Sequence, residues 1–213
     1  GEEKRFWFID HGYANLYGYW FKMSSSKSNI PGKRAEASGA HVLQVLPALE
    51  MGGVERGAIQ TAAALTAAGW EATVASSGGM MAHELVRAQA RHVALPLGAK
   101  QPFRMLRNAG ALAKIIRRHG IDLVHARSRA PAWSALKAAR RTKKPFVTTF
   151  HNAYGHNWVK HYYNAVMAKG DRVIAISNFV ANHVRETFGV DEDRLLTIHR
   201  GIDLDIFDPA KVS

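Results

Sequence analysis

Short runs of β-branched residues alternate with amphipathic segments along most of the sequence that follows Ala40. This alternation is typical of βα units, and it predicts an α/β fold with a doubly wound parallel sheet and helices on both faces. We expect strands at 41–46, 71–76, 92–95, 121–126, 145–150, 171–176 and 194–199. Between them we expect helices at 54–68, 81–90, 103–119, 131–141, 157–169 and 178–188.

Four glycines agree with these boundaries, because each stands where a predicted helix should end: Gly69, Gly120, Gly170 and Gly189. Helices commonly end on a residue in the left-handed conformation, which glycine adopts without a steric penalty. We therefore expect this conformation at all four positions.

The predicted helix 103–119 has two chemically different faces. Four basic side chains are expected to point outward: Arg104, Arg107, Lys114 and Arg118. Five apolar side chains at helical spacing are expected to pack on the sheet: Leu106, Ala109, Leu112, Ala113 and Ile116.

Residues 1–39 differ in composition from the rest of the chain. Eight of the twenty aromatic residues lie in the first 22 positions, without a regular period, and 24–39 is small, polar and interrupted by Pro31 and Gly32. We interpret 1–39 as an aromatic-rich N-terminal segment and a flexible linker. Met23 is a candidate for the natural start. A folded domain is expected to cover 40–203.

Composition excludes several classes of function. The sequence contains no cysteine, which removes disulfide frameworks, thiolate zinc sites and cysteine nucleophiles and fits a reducing cytoplasm. No apolar stretch approaches the length that spans a bilayer, and no secretion signal is evident.

Positive charge is concentrated in one segment. The formal net charge is +12, and between Lys100 and Lys144 thirteen Lys and Arg residues accompany one acidic residue, Asp122. Such a field favours an anionic partner, either nucleic acid or an acidic membrane. The alternative is a solvated face that only maintains solubility.

A diglycine loop follows the first predicted strand and leads into the first helix, with Gly52 and Gly53 at the mouth. Glycine lets a ligand approach the backbone, and the free N–H groups of a first helical turn attract anions. The attraction contributes only about 0.3–1 kcal/mol, so a diphosphate needs further cations. The alternative is a tight turn with Glu55 complementing the helix dipole. Neither the dinucleotide fingerprint nor a phosphate loop with Gly-Lys-Ser/Thr is present.

Two strands end in histidine, His125 and His151, at the edge where ligands bind to α/β sheets. Each histidine can hydrogen-bond a sugar hydroxyl or transfer a proton, and each alone also fits a purely structural role. Arg127 and Ser128 follow His125 as candidates to hold an anionic or hydroxylated group. Ser177 ends another strand, where it is expected to cap the next helix and, secondarily, to contact a ligand. No metal site is expected.

Five motifs occur in order along the chain, and together they resemble the N-terminal half of the family 4 glycosyltransferases. They are GGVER at 52–56, DLVHARS at 122–128, PFVTTFH at 145–151, DRVIAIS at 171–177 and LLTIHRGIDLDIFDP at 195–209. The resemblance implies a retaining enzyme of the GT-B fold, whose Rossmann-like N-terminal domain binds the acceptor. It implies a second domain, absent from this chain, that binds the nucleotide sugar. No cofactor or metal is implied beyond that co-substrate.

The resemblance also assigns roles to individual residues. Gly52 and Gly53 match the loop that approaches the donor phosphates or the acceptor, with Arg56 in the same motif, and His151 matches the histidine that stabilises the transition state at the donor sugar. Gly201 to Pro209 match the hinge, so 204–213 is expected to begin the passage to the missing domain. Arg200 departs from the asparagine that is more usual in the family.

The function predicted is transfer of a sugar from a nucleotide-sugar donor to a cell-envelope glycan or glycolipid, with this chain inactive alone. The expected location is the cytoplasm, with peripheral association at the inner membrane face. The alternative is a non-catalytic module that binds sugar phosphates or nucleic acid through the basic 100–144 face; nucleic acid is the less favoured partner, because no recognised nucleic-acid-binding motif accompanies the charge.

Overall fold

A computed structural model describes residues 39–154 and 158–201, and these form one seven-stranded parallel sheet with helices on both faces. The strands are β1 His41–Val45, β2 Glu71–Ser76, β3 Arg91–Ala94, β4 Leu123–Ala126, β5 Phe146–Phe150, β6 Arg172–Ala175 and β7 Leu195–Thr197. The helices are α1 Gly53–Ala67, α2 Glu84–Arg87, α3 Pro102–Arg118, α4 Arg129–Thr142, α5 Trp158–Asn164 and α6 Asn178–Phe188. The predicted fold class is confirmed. The predicted N-terminal segment 1–39, apart from Gly39, and the predicted segment 204–213 lie outside the described residues.

The strand order is β3-β2-β1-β4-β5-β6-β7, and every neighbouring pair is parallel. The chain builds outward from β1 to β3, then returns to the other side of β1 and builds outward again from β4. The direction of winding therefore reverses between β1 and β4, and in α/β sheets the crevice beyond the strand ends at this point is the usual ligand site.

Two of the predicted helices are shorter than expected because each includes a tight 3₁₀ turn. Met80–His83 is 3₁₀ and leads into α2, while Ala165–Lys169 is 3₁₀ and follows α5. The second turn places Val166 and Met167, both with no exposed surface, in the core. Apolar spacing does not distinguish these two helix types over four or five residues.

Apolar side chains fill the space on both sides of the sheet. Leu112, Ala135 and Val184, from α3, α4 and α6, pack on one face, and Ile59 and Leu65 from α1 pack on the other. Burial on both faces explains why the strands read as continuous apolar runs. Among the described helices, none has the length and apolar character needed to cross a membrane.

The glycine predictions were correct at three of the four positions. Gly69, Gly120 and Gly189 have positive φ values of 79°, 63° and 60°. The expectation for Gly170 was wrong, because its φ of −63° and ψ of 143° are extended. A side chain on Gly170 would collide with the backbone oxygen of Arg172. The same side chain would lie 2.9 Å from Oγ1 of Thr148, so this glycine makes room for the start of β6 beside β5 and does not end a helix in the left-handed conformation.

The predicted sheet-facing side of α3 is correct except at Leu106. Ala109, Leu112, Ala113 and Ile116 are buried, whereas Leu106 is 52% exposed. The first turns of α3 lie outside the packed core, because residues 102–107 are exposed apart from the half-buried Met105. Helical periodicity gives the direction of a side chain but not where along the helix the core ends.

The basic segment does not form one uniform surface. Arg127 is buried with 2% of its surface exposed, and Arg129 and Lys144 are half-buried. The remaining ten are exposed: Lys100, Arg104, Arg107, Lys114, Arg117, Arg118, Lys137, Arg140, Arg141 and Lys143. Most of the predicted charge therefore faces solvent, while Arg127 belongs to the interior.

Candidate functional site

The diglycine loop and three strand ends meet at the carboxyl edge of the sheet. Gly52 is the N-cap of α1 and makes no side-chain cap, so the first-turn N–H groups lack the side-chain oxygen that usually satisfies one of them. The carboxylate of Glu55 lies beside Gly52, close enough that a side chain on Gly52 would collide with it. This position agrees with the predicted role of Glu55 at the helix dipole.

Two arginines lie against the glycine-rich surface of α1. A side chain on Gly53 would place its Cβ 2.5 Å from Nη1 of Arg200, and one on Gly57 would place it 2.9 Å from Nη2 of Arg127. Real Cβ atoms do not approach other atoms so closely, and so the glycines make room for both guanidinium groups. The further cations that an anion site requires are therefore present at this helix start.

Arg127 joins three elements from inside the domain. Its Nη1 donates to Oε1 of Gln44 at 3.0 Å and to Oγ1 of Thr61 at 3.2 Å, while Nε2 of Gln44 donates to the carbonyl of Ala58 at 2.9 Å. These bonds connect β1, the end of β4 and α1. Arg127 thus supplies positive potential from beneath the site, and the ligand contact predicted from the sequence stays a prediction.

His151 follows β5 and is half-buried near both arginines. Burial, followed by the positive charges of Arg127 and Arg200, lowers the pKa of His151 from 6.5 to about 2. The imidazole is therefore neutral in the physiological range. Its Nε2 is shielded from solvent and has no hydrogen-bond partner among the described residues. A buried polar atom without a partner is costly in free energy, and binding sites are where such atoms recur.

His125 lies beneath this layer with no exposed surface. Its Nε2 is 2.7 Å from Oγ1 of Thr149 on the adjacent strand. Burial, and then the positive charge of Arg127, holds the pKa of His125 well below its usual value. His125 therefore supports the site from the core, and its predicted contact with a ligand stays a prediction.

The other predicted site residues have separate positions. Ser177 is the N-cap of α6 and accepts a hydrogen bond from the backbone N of Val180 at 3.2 Å, which confirms the predicted cap. Ser128 is the N-cap of α4 without a side-chain cap. Arg56 is exposed in the first turn of α1, and none of the hydrogen bonds described above involves its side chain.

Sequence reasoning missed Arg200 as a member of the site. Nη2 of Arg200 donates to the carbonyl of Gly53 at 2.6 Å and lies 3.3 Å from Nδ1 of His151. These contacts connect residues separated by 147 and 49 positions. The departure from the family's asparagine marked Arg200 as unusual, but no local pattern indicates such distant partners.

A second polar group missed from the sequence lies beside His151. The Arg129 guanidinium stands over the Tyr154 ring, 4.5 Å from its centroid, and Nη1 donates to Oδ1 of Asn164 at 3.1 Å. Burial is the main cause that raises the pKa of the Tyr154 hydroxyl. Tyr154 precedes α5 and Asn164 is its last residue, so these contacts order the side of the crevice next to that helix.

Comparison with known proteins assigns this arrangement to a family. The model of glycosyltransferase family 4 matches residues 51–206, which is most of the chain. The chain belongs to glycosyltransferase family 4. No curated protein sequence matches it.

Solved structures agree with this membership. A glycosyltransferase from Rickettsia africae ESF-5 is 43% identical over 82% of this chain and 46% of its own, with a TM-score of 0.72. Anabaena Alr3699/HepE in complex with UDP and glucose is 17% identical over 78% of this chain and 46% of its own, with a TM-score of 0.62. The lipopolysaccharide outer core galactosyltransferase WaaB, in its apo form, is 13% identical over 76% of this chain and 46% of its own, with a TM-score of 0.56. The last two show the fold alone. The chain spans about half the length of these proteins and corresponds to the N-terminal, Rossmann-like domain of the GT-B fold.

The depressed histidine pKa values predict how stability depends on pH. A histidine whose pKa is lower in the folded state binds fewer protons there than in the unfolded state, so stability falls as pH drops below about 6.5. Each such group contributes a slope of about 1.4 kcal/mol per pH unit until its folded-state pKa is reached. In urea unfolding between pH 5 and 6.5, we expect His125→Asn to reduce the slope by about this amount.

The matched control is His83→Asn, which removes an exposed histidine in place of a buried one and is measured in the same way. Slopes are compared because His125→Asn also changes packing at every pH. An unchanged slope in His125→Asn contradicts a neutral His125 in the folded protein.

Proposed function

We propose that this chain is the acceptor-side domain of a retaining glycosyltransferase that moves a sugar from a nucleotide-sugar donor to a cell-envelope glycan or glycolipid. The observation that carries the proposal is the meeting of the α1 start, Arg200 and neutral His151 at the point where the winding of the sheet reverses. Family membership supports glycosyl transfer.

The donor phosphates are proposed to lie near the start of α1. The helix dipole alone contributes about 0.3–1 kcal/mol, which does not hold a diphosphate. Arg200 adds a charged donor at Gly53, and Arg127 adds positive potential from below. These groups neutralise phosphate without a metal, and the second domain supplies the remaining contacts. The UDP in the HepE complex supports a nucleotide diphosphate as the donor's leaving part.

His151 is proposed to act as a hydrogen-bond donor to the transferred sugar. A group with a pKa of about 2 does not take up a proton near neutral pH. Its shielded Nε2, without a partner among the described residues, is suited to a sugar hydroxyl oxygen. Donors fixed in advance stabilise charge that develops in the transition state.

Binding of the donor's diphosphate is expected to depend on the space at Gly53. In NMR titrations of this chain with UDP, we expect backbone shifts at Gly52, Gly53 and His151. Gly53→Ala should weaken them, because its Cβ displaces Arg200. The matched control is Gly110→Ala in α3, where an added Cβ meets open space. Equal responses in both variants, or none at these residues in the wild type, contradict the proposed phosphate position.

Catalysis is expected to require the donor-binding half. Purified residues 1–213 should release no nucleotide from sugar donors, alone or with lipid-linked acceptors. The measurement is a coupled assay for released nucleoside diphosphate across uridine and guanosine diphosphate sugars. Turnover by this chain contradicts the requirement for a separate donor-binding domain. Tight binding of sugar phosphates without turnover, even in a protein extended into a second domain, favours the non-catalytic module.

We propose that the chain meets its acceptor at the inner face of a membrane. The ten exposed Lys and Arg residues between 100 and 144, in the described part of the chain, are here named the basic face. Each basic residue contributes about 1 kcal/mol near an anionic bilayer. The name of WaaB, a lipopolysaccharide outer core enzyme, supports an envelope acceptor by analogy of fold.

Exposed apolar side chains lie beside the basic face at the carboxyl edge. Phe103 on α3 is 76% exposed, and Trp158 and Tyr162 on α5 are 82% and 72% exposed. The intervening α4 touches both neighbours, because Ser134 Oγ donates to the Met105 carbonyl at 3.0 Å and the Trp133 ring lies 5.9 Å from that of Tyr162. Aromatic side chains next to basic ones are typical of surfaces that lie in a membrane interface.

Vesicle binding tests this location. We expect co-sedimentation with vesicles containing anionic lipid and not with neutral ones. Arg104→Gln should weaken partitioning about fivefold, the equivalent of about 1 kcal/mol, and Trp158→Ala should weaken it as well. The controls are Arg87→Gln and Val86→Ala, which alter exposed side chains on α2. Leu85 of α2 packs on the face of the sheet opposite to α3. Equal binding to neutral and anionic vesicles contradicts the proposal, and salt-sensitive binding to random DNA alone favours the nucleic-acid alternative.

A further inference from the structure

Arg200 reaches from the end of the sheet to two separate parts of the site. It lies three residues beyond β7, and its Nη2 contacts both the Gly53 carbonyl at 2.6 Å and Nδ1 of His151 at 3.3 Å. One guanidinium group thus connects the start of α1 with the residue that follows β5. The contact defines where the imidazole ring stands relative to the helix start.

The chemistry of the two groups determines which ring nitrogen carries the proton. A guanidinium has only donors, so Nδ1 of His151 accepts from Arg200 and is unprotonated. Because the imidazole is neutral, its single proton then resides on Nε2. Nε2 is the atom that is shielded and has no partner among the described residues. The tautomer that Arg200 selects therefore places a donor without a partner among the described residues at Nε2.

Arginine and the asparagine more usual in the family act differently here. An asparagine amide contains both a donor and an acceptor, so it pairs with Nδ1 in either tautomer after a flip of the amide. Arginine, which only donates, pairs with Nδ1 only in the tautomer protonated at Nε2. The positive charge of Arg200 also opposes a second proton on the ring, in the same sense as that of Arg127.

We propose that Arg200 is a positioning residue for His151, which fixes the ring in the tautomer protonated at Nε2 and anchors it to the first turn of α1. The inference rests on the proposed function only for the identity of the ligand that Nε2 meets. The tautomer and its dependence on Arg200 are properties of this chain without any substrate.

The tautomer is measured directly from imidazole ¹⁵N resonances and their two-bond couplings to ring protons. In the wild-type chain near neutral pH, His151 should show an unprotonated Nδ1 and a protonated Nε2. In Arg200→Gln, the Nδ1 and Nε2 resonances should move toward each other as both tautomers become populated. Lysine, like arginine, can only donate hydrogen bonds. Arg200→Lys should therefore keep the wild-type pattern of His151 resonances.

A matched control separates this effect from loss of any arginine at the same edge. Arg129 stands over Tyr154 and is not among the charges that lower the pKa of His151. Arg129→Gln should therefore leave the His151 tautomer unchanged. Backbone spectra verify that each variant is folded, and the wild-type measurement tests the proposal even where a variant does not fold.

Two outcomes overturn the proposal: a protonated Nδ1 in the wild type, or the same single tautomer in Arg200→Gln as in the wild type. Failure of the proposed function leaves a different signature. In that case the tautomer depends on Arg200 as expected, while UDP and sugar donors produce no shift at His151.

Discussion

The buried guanidinium of Arg127 is the interaction on which the rest of the site depends. Burial of a charge is costly unless hydrogen bonds replace its lost hydration, and Gln44 and Thr61 provide oxygens from β1 and α1. These bonds connect the two halves of the sheet at the point where its winding reverses. Burial, and after it the same charge, keeps His125 and His151 neutral. Arg127 thus both connects these elements by hydrogen bonds and helps to keep the two histidines neutral.

The sequence indicates the fold because parallel strands covered on both faces leave a strong pattern. Runs rich in buried residues mark the central strands β4, β5 and β6. The glycines at 69, 120 and 189 mark helix ends through their backbone conformation. Gly170 has the same sequence context but serves a different need, the approach of β6 toward Thr148. Leu106 has the correct helical phase but lies beyond the core. Both errors concern tertiary surroundings, which local periodicity does not contain.

The site was predictable to the extent that it follows from strand ends. Gly53 and His151 come together because parallel strands place their carboxyl ends at one edge. The burial of Arg127 and His125 depends on which elements cover the edge, and the reach of Arg200 depends on where the chain returns after β7. These features arise from contacts between distant positions, so a short motif predicts which residues are near and not which are accessible.

The narrow surface of α1 between Gly53 and Gly57 has a consequence for how related sequences diverge. Each glycine accommodates one guanidinium, Gly53 that of Arg200 and Gly57 that of Arg127. A larger residue at either position is tolerated only if the facing arginine shortens or moves. Among homologues, position 53 should therefore covary with 200 and position 57 with 127, as two coupled pairs inherited together.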